Sequence, residues 1–283
     1  MIKQPNLNPF ENKNDQLTVN GQLANSIVYS LMDNIRVMPT TMVASIMLLY
    51  RRGIAKKELE QKVDWLGMIL NDRGANFAND LGLPGKHTLQ IGLEQLDSYV
   101  TNKAGIYEPK LIKGDYQNYI MLMYYRNPLN QVFFNEAIVL VSMHSFGLEQ
   151  EWQQGIDLSQ LFERSCFISD LLKKEEFVKK RINKHDRDFF NSVIQFMKQK
   201  RILINAPNDP QKVVLRTSGE SQIIFILSLI FPIIDSYYVV LVYILTFVKN
   251  KGIDIKSYQK NLQWLSELLF KQGSIQFFES CNQ

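Results

Sequence analysis

The stretch "QIIFILSLIFPIIDSYYVVLVYILTFVKNK" runs from Gln222 to Lys251, and between Ile223 and Val248 its only charged residue is Asp235. A run of about 20 apolar residues is long enough to cross a bilayer. A mid-helix carboxylate costs about 2.5 to 3.5 kcal/mol on insertion scales, which the surrounding Leu, Ile and Val could offset. Pro232 weighs the other way. It removes one backbone N–H and crowds the carbonyl one turn earlier, at the depth where lipid supplies no donor. The favoured reading is a buried helix kinked or split at Pro232, with Asp235 and Ser236 capping its second half, and with Ile226 and Leu241 in the core. A membrane segment is the alternative. Thr217 and Glu220 fit a capping box at the start of the run, and Lys249, Lys251 and Gly252 suit its end.

The rest of the chain reads as an ordinary globular protein. Its 283 residues are 46% hydrophobic, 21% charged and 11% aromatic, enough to bury a substantial core and too apolar for disorder. With 32 Lys and Arg against 28 Asp and Glu, the net charge of +4 is short of a dedicated nucleic-acid binder. Cys166 and Cys281 lie far apart, so neither a disulfide framework nor a zinc knuckle is expected. The opening "MIKQPNLNPFENKNDQL" has no signal or transit character. It marks residues 1–20 as a polar tail ahead of a helical domain at 21–283.

Helical patterning dominates that domain. "LANSIVYSLMDNI" (23–35) is a helix, and Pro39 and Thr40 open another that Gly53 closes. In the next, Leu59, Val63, Leu66 and Leu70 share one face and Gly74 suits the position after its end. Residues 76–114 read as mainly loop, with a short helix near "IGLEQLDSYV". Two apolar helices follow, divided at Asn127 and Pro128 because the proline ring disfavours αR at the residue before it. "LSQLFERSCFISDLLKKEEF" is amphipathic, and "DRDFFNSVIQFMKQK" is capped by Asp186 or Asp188. "RILIN" and "KVVLRT" then read as strands joined by "APNDPQ". The fold class is mainly α, a multi-helix domain with one or two short β-hairpins of winged-helix type.

Motifs that carry chemistry are few. His87, His144 and His185 have no partner at i+3 or i+4 for a helical metal pair, and no phosphate loop or nucleophile elbow is present. No cofactor is expected. His185 and Asp186 lie in the charge run "KKRINKHDRD", a solvated linker, and Arg51 and Arg52 suit a helix end. "YYRN" reads first as packing, with a polar bridge between buried elements through Tyr125, Arg126 and Asn127 as the alternative.

Taken in order, "VMPTTMVASIMLLYRRGIAKKELEQKVDWL", "YYRNPLNQVFFNEAIVLVSM", "LIFPIIDSYYVVLVYIL" and "LLFKQGSIQFFES" resemble the C-terminal region of the glycerol-3-phosphate and dihydroxyacetone-phosphate acyltransferase family, from about Leu23 onward. The shared marks are a Pro-Thr start to an apolar helix ending near Arg-Gly, a Tyr-Arg-Asn turn, and a Pro-x-x-Glu-Ser-Tyr element. In the last, Asp235 stands where the family has Glu, and Tyr237 keeps the Tyr.

The resemblance implies a role in acyl transfer from acyl-CoA to a three-carbon phosphate, which in this family rests on a His-x-x-x-x-Asp pair in a separate α/β domain. Five residues after His87, His144 and His185 stand Gly92, Glu149 and Phe190, so no catalytic, cofactor or metal residue carries over. Tyr125, Arg126, Asn127, Asp235 and Tyr237 are expected as structural or interface positions. The implied partner is a catalytic acyltransferase domain or subunit, with peripheral membrane contact on the cytoplasmic side or within an organelle. His144, at i and i+5 with Glu149, is expected to be structural. The alternative is a winged-helix interaction module that binds nucleic acid through Lys198, Lys200, Arg201, Lys212 and Arg216. Glu58, Glu60 and Asp64 on its presumed recognition helix oppose that alternative.

Overall fold

A computed structural model describes residues 12–78, 86–110, 117–174, 180–207, 209–247, 255–277 and 280. Helices predominate: α1 (Lys13–Asp33), α2 (Pro39–Leu49), α3 (Lys56–Asn71), α4 (Lys86–Gln95), α5 (Gln117–Arg126), α6 (Pro128–His144), α7 (Leu158–Leu171), α8 (Arg187–Gln199), α9 (Glu220–Phe247) and α10 (Ile255–Lys271). Between them lie β1 (Ile54–Ala55), β2 (Val100–Lys103), β3 (Ile106–Pro109), β4 (Ile156–Asp157), β5 (Leu203–Ala206) and β6 (Asp209–Leu215). Of the polar opening, residues 1–11 lie outside the described residues and the remainder enters α1, which leaves nearly every side chain exposed.

The architecture is one plan used twice. Helix, short strand, two helices and a hairpin follow one another as α2-β1-α3-α4-β2-β3, and again as α6-β4-α7-α8-β5-β6. Each set forms a three-stranded antiparallel sheet with the last strand central, β1-β3-β2 and β4-β6-β5. The repeat is legible in residues once the structure aligns them. "GIAKKEL" at Gly53–Leu59 matches "GIDLSQL" at Gly155–Leu161, and the same offset relates Leu66 to Ile168 and Leu70 to Leu172. Ile54 and Ile156, and likewise Leu59 and Leu161, are buried.

The two glycines do the same job. Gly53 has φ +103° and Gly155 φ +81°, backbone that side chains rarely adopt, and each lies flat against its hairpin. A Cβ on Gly53 would come within 2.6 Å of Ile106 Cγ2, and one on Gly155 within 2.8 Å of Ala206 Cβ.

Local expectations mostly survive. Pro39 opens α2 at its first turn, Leu59, Val63, Leu66 and Leu70 are all buried, and Asp186 caps α8 by accepting from the Phe189 N–H at 2.9 Å. Asp157 caps α7 in the same way, from Ser159 N–H. Four expectations need correction. Residues 76–114 contain the hairpin β2–β3, turned through Ala104 and Gly105 in positive φ. The helices do divide at Asn127 and Pro128, α5 ending at Arg126 and α6 starting at Pro128, but not because Asn127 leaves αR, where it stays (φ −50°, ψ −34°). The helix that leads into each hairpin is α4 or α8, so Glu58, Glu60 and Asp64 lie on the middle helix of the first unit. Thr217 starts a 3-10 turn, Thr217–Gly219, with no side-chain cap.

The largest correction concerns α9. It is one continuous helix through Pro232, not two halves. Ser236 does not cap a second half; its hydroxyl donates to the Pro232 carbonyl at 2.9 Å inside the helix. Ile223, Phe225, Ile226, Leu229 and Ile230 belong to the main core, where the Phe225 ring meets Trp65 and Phe133 edge-on at 5.7 and 5.6 Å. That cluster joins α3, α6 and α9, so both units and the long helix share one interior. Ile226 is buried as expected, but Leu241 is 56% exposed. The expected end at Lys249, Lys251 and Gly252 lies outside the described residues.

Candidate functional site

A proline inside a helix leaves the carbonyl four residues earlier without its donor. For Pro232 that carbonyl is Ser228 O, buried in the contact between α6 and α9. The guanidinium of Arg126 is aimed at it, with Nη1 at 3.5 Å. Arg126 is itself 3% exposed at the last position of α5, where Pro128 sets the start of α6. Two stretches singled out in the sequence, "YYRN" and "FPIIDSYY", therefore meet through one backbone group. Packing is the favoured reading of "YYRN" from the sequence and a polar bridge the lesser one; the contact of Arg126 with Ser228 O is polar.

The other singled-out residues lie at the end of α5 and on α9. Tyr125 is half-buried, its ring 6.2 Å from that of Tyr99 and 5.7 Å from the exposed Tyr124. Asn127 is exposed, and its carbonyl accepts from Asn130 N–H at 3.0 Å. Asp235 and Tyr237 are half-buried on α9, with Tyr237 packed against the main core.

A second buried charge was not read from the sequence. Arg73 donates to both oxygens of Glu136, Nε to Oε1 at 2.8 Å and Nη2 to Oε2 at 2.6 Å, while Nη1 donates to Ile69 O at 2.8 Å. The guanidinium also lies 4.6 Å from the Phe133 ring centre and 5.4 Å from that of Phe196. Both side chains are nearly sealed from water, at 3% and 7% exposure. Burial pushes the Glu136 carboxyl above its ordinary range, and the hydrogen bond and charge of Arg73, with Lys200 further off, pull it back. The pair joins the end of α3 to α6, and so one unit to the other. It lines an open cleft of about 320 Å³ with Asp72, Val132, Asn135, Ser192 and Phe196. Asn135 is committed there: it donates to Lys180 O and accepts from Ile182 N–H.

His144 has a carboxylate partner, but not Glu149. Its Nδ1 lies 3.3 Å from Oε2 of the buried Glu151, and Glu149 pairs with Gln154 instead. A single π-turn at Gln150–Gln154 brings Glu151 back under the end of α6. The hydrogen bond to Glu151 raises the His144 pKa above the ordinary imidazole value, against the effect of burial. The ring also meets Phe231 edge-on at 5.7 Å. Among the described residues no group of His, Cys, Asp and Glu has the arrangement of a metal site. Cys166 is half-buried, and Cys281 lies outside the described residues.

Chemically, these arrangements hold helices together. Arg126 answers a missing backbone donor, Arg73 and Glu136 neutralise each other at the junction of the units, and His144 anchors a turn. A family model described as the glycerol-3-phosphate acyltransferase C-terminal region matches residues 3–283. No curated protein matches the chain.

Proposed function

The chain belongs to the glycerol-3-phosphate acyltransferase family, whose C-terminal region it matches over nearly its whole length, and from that premise we propose that it serves as a non-catalytic helical partner of a catalytic acyltransferase domain in glycerolipid biosynthesis. The observation that carries this reading is the match itself, set beside a sequence with no His-x-x-x-x-Asp pair. A general base contributes about 10² to 10⁴ in rate, and holding the acceptor phosphate adds to that, so a chain without either group depends on another for chemistry. The charged side chains buried here are committed to helix contacts, as expected of a scaffold.

Both repeated units are of winged-helix type in this reading, a fold that does not by itself fix what its surface binds. Residues 21–283 then act as one helical domain. Tyr125, Arg126, Asn127, Asp235 and Tyr237 hold α5, α6 and α9 in register rather than contact substrate. The setting is a membrane surface on the cytoplasmic side or in an organelle, where acyl-CoA and lysophospholipid product meet. Co-expression with an affinity-tagged catalytic acyltransferase domain tests the partnership: the two should co-purify at fixed stoichiometry. Failure to co-purify, with both proteins folded, would leave the chain without the partner this reading requires.

A further inference from the structure

Beyond Tyr237, α9 leaves the main core, and Val239 and Tyr243 pack on Leu262, Leu265 and Leu269 of α10 in a small second core. After α10 the chain turns back. Gly273 has φ +75°, Ser274 N–H donates to Leu269 O at 2.9 Å, and Ile275 is buried in the same small core. The next residues return to the body of the protein. The Phe277 ring stacks on that of Phe231, near the middle of α9, with centres 6.2 Å apart and planes 11° from parallel. The guanidinium of Arg51, just past the end of α2, lies 5.2 Å from the centre of the Phe277 ring and 5.9 Å from that of Tyr119 on α5. Phe231 in turn meets the ring of His144, at the end of α6, edge-on at 5.7 Å. Residues 274–277 therefore form a strap from the second core to the ends of α2 and α6, one in each repeated unit.

We propose that this strap is a pH-sensitive latch, held by the row Arg51, Phe277, Phe231 and His144, and that it loosens when His144 loses its proton. The proposal goes beyond the acyltransferase reading and does not rest on it. Phe231 and Phe277 lie outside both cores, so their contact belongs to the strap itself. The face of an aromatic ring attracts a cation, whereas a neutral imidazole offers only the weaker edge-on aromatic contact. Arg51 stays charged at any pH the fold survives, which leaves His144 as the member of the row that can change. The elements around His144 bring it one charge. Glu151 of the π-turn lies 3.3 Å from Nδ1 and is buried, Glu149 is taken by Gln154, and α9 presents the uncharged Phe231 ring. The hydrogen bond to Glu151 holds the imidazole pKa above the ordinary 6.5. The latch is therefore fully held below 6.5 and released as pH rises through the raised value. Linkage makes the effect reciprocal: if the proton tightens the stack, the stack tightens the proton.

Ser280 supplies a reporter, since it is fully buried and its N–H donates to Phe277 O at 3.1 Å. In a chain carrying Ser280→Cys with Cys166→Ser and Cys281→Ser, the rate of maleimide labelling is measured relative to a free cysteine peptide at the same pH. The relative rate should be about three- to fivefold higher at pH 8 than at pH 6, the span of one cation–ring contact. With His144→Gln added it should stand at the higher level at both pH values, and with Phe277→Leu it should rise further and no longer respond to pH. A second measurement covers a reporter chain that fails to fold. In the otherwise unsubstituted protein, an NMR titration of the histidine rings, with His144 assigned from His144→Gln, should show Phe277→Leu weakening proton binding at His144 by about threefold. Equal relative rates at pH 6 and pH 8, a pH response that survives His144→Gln, or a His144 titration that Phe277→Leu leaves in place would each overturn the proposal.

Discussion

If Arg126 serves the carbonyl that Pro232 deprives of its donor, restoring the donor should make Arg126 less necessary. Pro232→Ala returns an N–H to position 232, which can donate to Ser228 O as in any helix. Arg126→Met removes the guanidinium while keeping most of the side-chain volume. In the unsubstituted background Arg126→Met should cost about 1.5 to 3 kcal/mol, the range for a charged donor lost from a buried acceptor. At 3.5 Å the contact lies at the long end for a hydrogen bond, so the lower part of that range applies. In the Pro232→Ala background the same change should cost about 1 kcal/mol less. Other contacts of the buried Arg126 are present in both backgrounds and cancel in the cycle. Urea unfolding of the four proteins at pH 7 gives the coupling from their midpoints and slopes. A coupling within about 0.3 kcal/mol of zero would mean that Arg126 is buried for some other reason.

The shared plan of the two units makes Gly155 as exacting as Gly53. Gly155→Ala should lose about 2 to 6 kcal/mol, from a dihedral pair (φ 81°, ψ 151°) open almost only to glycine and from crowding against Ala206 and Lys212, whereas Gly74→Ala, with open space at its Cβ, should lose about 1 to 2 kcal/mol. Urea midpoints of the two variants decide this. Arg73→Leu should cost about 3 to 5 kcal/mol by stranding Glu136 in the interior. Because the folded state holds the Glu136 proton more tightly than the unfolded chain, stability should fall as pH rises from about 4.5, the ordinary value for a glutamate, through the raised one. Glu136→Gln should flatten that slope in a pH series of melts. His144 has the opposite kind of group but the same direction. Its raised pKa contributes stability that is full below the unfolded value of 6.5 and is lost as pH rises through the folded one, so unfolding midpoints at pH 6 and pH 8 should differ more in the unsubstituted protein than in His144→Gln.

Features set by near neighbours in the chain were legible. The face of α3, the proline start of α2, the Asp186 cap and the hairpin β5–β6 each depend on residues within a turn or two of one another. So does the helical character of 220–247. What escaped depends on distant partners. Pro232 was expected to break its helix because the sequence does not show that Arg126, 102 positions away, reaches Ser228. Arg73 and Glu136 are 63 apart and look like ordinary surface charges until α3 and α6 pack. β1 and β4 are two residues long, too short for any alternation to register, and without them the double plan was invisible. The signal that could have exposed it was the pair "GIAKKEL" and "GIDLSQL". Of the singled-out residues, Arg126 reaches the other motif through Ser228 O, a contact that no local pattern in the sequence fixes.

Acylation of glycerol 3-phosphate from labelled acyl-CoA, measured for the purified chain alone and again with a separately expressed catalytic domain of the family, tests the central claim most directly. The expected result is no acceptor-dependent turnover by the chain alone and higher turnover by the mixture than by the catalytic domain alone. Acylation by the chain alone that disappears in His144→Ala would contradict it, and would make His144 and Glu151 a catalytic pair.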